Sequence, residues 1–114
     1  MRAAIALTAG LALTACESPP VHSGRYHYGA EVDIVCPCGT KVCYWVRADP
    51  PVAKQLHDYA QRQAEAPYQP MYLRWRGQLL DEPRVGFPAN YDGLMRVDAV
   101  LTLSVEMPDD CPAP

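Results

Sequence analysis

The sequence predicts a small, mainly β domain with one helix, a curled sheet or barrel stapled by disulfides. Three observations predict it. Apolar and polar residues alternate with a period of two in several runs, one run without Gly or Pro has helical spacing, and four cysteines lie in its last 80 residues. In order along the chain, Tyr26, Tyr28, Ala30, Val32, Ile34 and Cys36 fall on one face of a strand, with His27, Gly29, Glu31 and Asp33 on the other. Lys41 to Ala48, rich in aromatic and β-branched residues, is a second strand, and Gly39 with Thr40 between them suits a two-residue hairpin turn. That turn sets Cys36 opposite Cys43 and Ile34 opposite Trp45. Opposed α-carbons in an antiparallel pair lie about 4.5 to 5.5 Å apart, inside the range of about 4.4 to 6.8 Å that a disulfide spans.

Asp49-Pro50-Pro51 reads as a helix start, with a capping side chain followed by proline where its missing N–H does no harm. Val52 to Ala66 then carries a stripe of Leu56, Tyr59, Ala60 and Ala64, and Pro67 ends it. Met71 to Leu80 is a third strand, with Leu73, Trp75 and Leu79 on the buried face and Tyr72, Arg74, Arg76 and Gln78 on the other; Gly77 invites a bulge. Asp81 to Gly93 is a turn-rich loop. The last strand sets Met95, Val97, Ala99, Leu101, Leu103 and Val105 against Arg96, Asp98, Thr102 and Ser104, and a tail follows from about residue 106.

Residues 1–15 hold one positive charge, Arg2, and an uncharged apolar run. The run is shorter than the roughly 20 residues that span a bilayer and matches a signal-peptide core. Leu13-Thr14-Ala15-Cys16 at its end resembles the lipobox of bacterial lipoproteins at all its positions. The resemblance implies cleavage before Cys16, acylation of that residue, and a lipid-anchored mature protein. Several acyl chains hold far more firmly than one, at about 0.8 kcal/mol for each buried methylene. Glu17, in place of the aspartate that retains enterobacterial lipoproteins in the inner membrane, implies the periplasm-facing leaflet of the outer membrane. Residues 16–24 then form a Pro- and Ser-containing tether, and residues 25–114 one domain.

Cys38 and Gly39, Tyr44 to Val46, the central helix, Arg76 and Gly77, and Tyr91 to Gly93 before the final strand resemble the OB-fold domain of NlpE-type outer-membrane lipoproteins over roughly residues 25 to 105. The resemblance implies an OB-like barrel. A standard OB barrel has five strands and a helix between the third and fourth, whereas two runs precede the helix here unless the first breaks at Gly29. The separate metal-site domain of NlpE proteins is missing from the sequence, so their copper and surface-sensing roles are not implied.

An oxidising compartment favours bridges among the remaining cysteines, Cys36 with Cys43 and therefore Cys38 with Cys111. The alternative is a Cu(I) or Zn(II) thiolate site at Cys36, Cys38 and Cys43, with His22, His27 or Met71 as further ligands. Ligands must be reduced and deprotonated, which oxidation opposes. A net charge of −3 without a Lys/Arg run argues against nucleic acid. The scattered histidines, with His57 read as a surface residue and His22 as part of the tether, form no catalytic motif.

The resulting expectation is a non-enzymatic, lipid-anchored binding or adaptor module for an envelope protein or glycan, with no cofactor. Tyr72, Arg74 and Arg76 on a polar strand face, with Tyr44, are the candidate contact residues, and Trp45 and Trp75 are read as core. The other reading is a small inhibitor of a hydrolase such as lysozyme, which requires a protruding loop.

Overall fold

The computed structural model describes residues 18–114, so the signal peptide and Cys16 lie outside the described residues. The strands are β1 (Val21–Gly29), β2 (Val32–Pro37), β3 (Tyr44–Arg47), β4 (Met71–Leu80) and β5 (Leu94–Ser104), and the helix is α1 (Pro50–Gln63). They close into a barrel in the order β1-β2-β3-β5-β4. Every pairing is antiparallel except β3 with β5. This is an OB-like barrel with its helix between the third and fourth strands.

The fifth strand comes from a break in the first apolar run. Ala30 and Glu31 form a two-residue hairpin, and Tyr26 pairs with Val35. Chain reversal exchanges the parity of the two faces. Tyr26 and Val35 therefore point into the core, while Ile34 and Cys36 point outward, contrary to the single alternation read from the sequence. The strand also begins earlier than the tether reading allows. Val21 to Gly24 pair with β4, so His22 is a strand residue, stacked on the Trp75 indole with centroids 5.1 Å apart.

Ile34 does pair with Trp45. The ladder stops at Val35 and Tyr44, however, and the turn is one residue earlier than expected, with Thr40 N–H and its hydroxyl both donating to Pro37 O. Gly39 has φ +77°, which suits the third position of such a turn. Cys36 and Cys43 are bridged across this loop. The second bridge, Cys38 to Cys111, ties down the tail after β5, where Gly39 N–H donates to Pro112 O.

Asp49 is the N-cap residue of α1 but makes no side-chain cap. Its carboxylate pairs instead with Arg96, 3.0 Å away. Leu56 and Ala60 enter the core, and the Tyr59 hydroxyl accepts the Val105 N–H. The helix closes one end of the barrel. At the other end, Trp45 N–H donates to Gly93 O and Asp92 N–H to Cys43 O, so the 38–43 and 81–93 loops lie together with the start of β1.

Met71, Leu73 and Trp75 alternate inward as expected. Register shifts then fall between Arg74 and Trp75 and between Arg76 and Gly77. Opposite them, Val97, Val100 and Leu103 pair with Gly77, Trp75 and Leu73. A spacing of three replaces the alternation because each bulge adds a residue to β5. Leu101, and Leu79 past the bulges, are consequently exposed rather than buried.

Candidate functional site

The outer face of β1 and β2 carries Arg25, His27, Ile34 and Cys36, which form the floor of a groove of about 550 Å³. Its walls come from four separate segments. Lys41 and Cys43 stand in the loop before β3, Tyr68 and Pro70 precede β4, Tyr91 belongs to the β4–β5 loop, and Ala113 and Pro114 belong to the bridged tail. This volume falls in the range of small-ligand or peptide side-chain sites. OB barrels bind ligands over the face of their second and third strands and the loops joining strands one to two and four to five; this groove shares β2 and the β4–β5 loop with that surface.

Arg25 is 7 % exposed. Its Nη2 donates to Thr40 O at 2.9 Å, while Nη1 is buried without a partner. A half-satisfied guanidinium is costly in an apolar setting. The lining side chains include Arg25, His27 and Lys41 but no carboxylate. Beside Arg25, His27 Nδ1–H donates to Tyr68 O at 3.1 Å. Burial lowers the His27 pKa below its ordinary 6.5, with the Arg25 charge acting the same way and the Tyr68 hydrogen bond opposing it.

The wall at Tyr68 is held in an uncommon conformation. Tyr68 has φ +62° and Glu31 φ +64°, both in the region that side chains with a Cβ disfavour. Tyr68 Oη–H donates to Ala30 O, and its ring lies where a Cβ on Gly29 would stand. Strain of this kind persists where the surroundings enforce it.

The lowered His27 pKa has a stability consequence. The unfolded chain binds the proton more readily, so this contribution is complete above pH 6.5 and is lost as pH falls through 6.5 towards the folded value. Urea melts of the wild type and of His27→Gln should diverge over that window, with the variant showing the flatter pH dependence. Parallel curves would mean that His27 titrates alike in both states.

Of the contact residues expected from the sequence, Tyr72, Arg74 and Arg76 do share the outer face of β4. They lie beside the groove rather than in it. The Tyr72 hydroxyl reaches Ser23 Oγ at 3.5 Å in a shallow cleft with Met107 and Pro108, and Arg76 Nη1 donates to Pro19 O at 3.1 Å. Tyr44 is not on that face. It packs against the core, with its ring against Gly93 where a Cβ would crowd it. Trp45 has the reverse correction: it lies on the outer side of β3, tilted against Tyr91 at 5.8 Å. Trp75 is fully buried, as expected.

All the sulfurs that the metal reading needs are in bridges, and Met71 is in the core. Among the described residues no group of three or more His, Cys, Asp or Glu side chains is placed to hold a metal ion.

His57, midway along α1, is half-buried and not a free surface residue. Its Nε2–H donates to Asp33 Oδ2 at 2.9 Å, Tyr26 Oη–H donates to Asp33 Oδ1 at 2.7 Å, and Tyr28 stacks on the imidazole at 4.3 Å. Burial raises the Asp33 pKa against these two hydrogen bonds. Among the side-chain hydrogen bonds of the described residues, Asp33 is the sole partner of the His57 ring. The ring satisfies a carboxylate that β2 turns inward.

Compared with known proteins, the chain matches no family model, no curated protein and no solved structure. The groove's four converging segments and its cationic side chains therefore carry the functional reading.

Proposed function

We propose that this chain is a non-enzymatic lipoprotein of the bacterial envelope, anchored by acylated Cys16 in the periplasm-facing leaflet of the outer membrane, and that its barrel serves as a binding or adaptor module. The observation that carries the reading is a mostly apolar groove, walled by four separate segments, whose floor holds Arg25 and His27. A mostly apolar groove with cationic side chains and no acidic side chain suits a protein segment that offers an apolar side chain beside a carboxylate or carbonyl. A glycan would leave much of that groove unmatched. The lipobox resemblance at Leu13 to Cys16 supports the anchor, and the two bridges suit an oxidising compartment.

Capture from crosslinked envelopes with the lipidated protein tests the reading. The variant Lys41→Glu/Tyr91→Ala changes two wall side chains and leaves the barrel core intact. Losing an interaction of about 1.4 kcal/mol should reduce the crosslinked adduct about tenfold. Alanine at Tyr72, Arg74 and Arg76 should leave the adduct in place. Loss with the triple variant alone would move the contact to β4 and reject the groove.

A further inference from the structure

The backbone fixes where the anchor leaves the barrel. Gly77 N–H donates to Pro20 O at 3.0 Å, and Arg76 donates to Pro19 O. The chain before β1 thus runs antiparallel beside the end of β4, towards the 81–93 loop. Cys16 is two residues before Ser18, and two extended residues reach at most about 7 Å. Its acyl chains would therefore enter the bilayer beside that loop, at the end of the barrel opposite α1.

Exposed apolar side chains gather at this same end. Scattered ones are ordinary on any protein surface. Here five of the seven large exposed apolar residues among the described ones, Val21, Val42, Leu79, Val85 and Phe87, belong to the start of β1, the 38–43 loop, the end of β4 and the 81–93 loop. Val85 is 82 % and Phe87 47 % exposed, flanking Gly86 at φ +72°. Two of the three acidic side chains of the 81–93 loop are engaged, Glu82 with Arg47 and Asp92 with the Cys43 N–H, and Asp81 is exposed.

We infer that this end of the barrel rests on the bilayer, with Val85 and Phe87 seated at the boundary between headgroups and acyl chains. The inference depends on the lipoprotein reading, because acylated Cys16 makes the contact intramolecular. A tethered contact is populated even when its free affinity is weak. The orientation holds α1 away from the membrane.

Brominated-lipid quenching tests this with the lipidated protein purified from membranes. Phe87→Trp places a reporter at the loop tip and Leu101→Trp one on the barrel side, both at exposed positions, with Trp45 and Trp75 common to the two variants. Each is reconstituted into phosphatidylcholine vesicles with brominated acyl chains, and the mass of the mature protein is measured. Segments seated in the interface reach about 5–10 Å into it, so quenching should be about twofold greater at position 87 than at 101. Equal quenching at both positions in an acylated protein overturns the orientation and leaves the lipoprotein reading standing. A mass without acyl groups on Cys16 overturns both. An unquenched position 87 whose emission shifts on adding lysozyme assigns the tip to a protein cleft, as an inhibitor requires, and overturns the bilayer contact.

Discussion

Replacing Cys38 and Cys111 together by alanine is expected to lower the free energy of unfolding by about 4 kcal/mol, against about 2.5 kcal/mol for the Cys36 and Cys43 pair. The difference follows from sequence separation, 73 residues for the first bridge and seven for the second. A crosslink closing the longer loop removes more freedom from the unfolded chain. Losing about 4 kcal/mol is serious for a domain of this size, whose whole stability is of order 5–15 kcal/mol. The bridge also holds the tail that supplies Ala113 and Pro114 to the groove wall. Cys111 is buried, and its neighbour Pro112 accepts the Gly39 N–H. Without the bridge the tail should become the first site of limited proteolysis, before any cut within the barrel. Urea melts of the two double variants read the stability order, and a greater loss from the short bridge would reject the chain-entropy account.

Both bridges were legible from the sequence because hairpin register pairs Cys36 with Cys43 and leaves Cys38 for Cys111. Ile34 and Trp45 do face each other, although the turn that joins their strands is shifted by one residue. The groove was not legible, and one turn explains why. Ala30 and Glu31 interrupt the alternation from Tyr26 to Cys36 without Gly, Asn or Pro at either position. Glu31 occupies a positive-φ site that normally advertises itself through glycine or asparagine. Unmarked, the turn left Ile34 and Cys36 assigned to the core and the outer face of β2 unseen. The same error placed Tyr44 outside and Trp45 inside, since β3 takes its facing from β2. A break at Gly29 was the one signal available, because an OB-like barrel needs a fifth strand. Arg25 gave no such sign, as it is buried between Cys36 and Tyr72 of its two neighbouring strands and bonded to Thr40 O, and that pairing appears only once the barrel closes. By contrast, the β4 contact face was readable, because its alternation runs unbroken from Met71 to Gly77.

Gly77→Ala is expected to destabilise the protein by at least about 3 kcal/mol, the upper range for forcing extra volume into a packed site. The substitution adds only a methyl group, but it has no room. A Cβ at residue 77 would collide with the carbonyl oxygen of Arg96 on β5, which is backbone and cannot rotate aside. Moving β5 away would separate Gly77 from Val97 and break the ladder next to a register shift. Both polar groups of the Gly77 backbone are committed as well. Its N–H donates to Pro20 O, and its carbonyl accepts from His22 Nε2, whose ring covers Trp75. Displacing residue 77 therefore loosens the start of β1, exposes the largest buried side chain and frees the segment that leads to Cys16. Urea melts followed by tryptophan emission should show a lower midpoint and a red shift in the native baseline, as Trp75 gains access to water. A loss below about 1 kcal/mol would show that β5 yields without breaking its pairing. The tight approach of β4 to β5 would then not be what fixes the bulge.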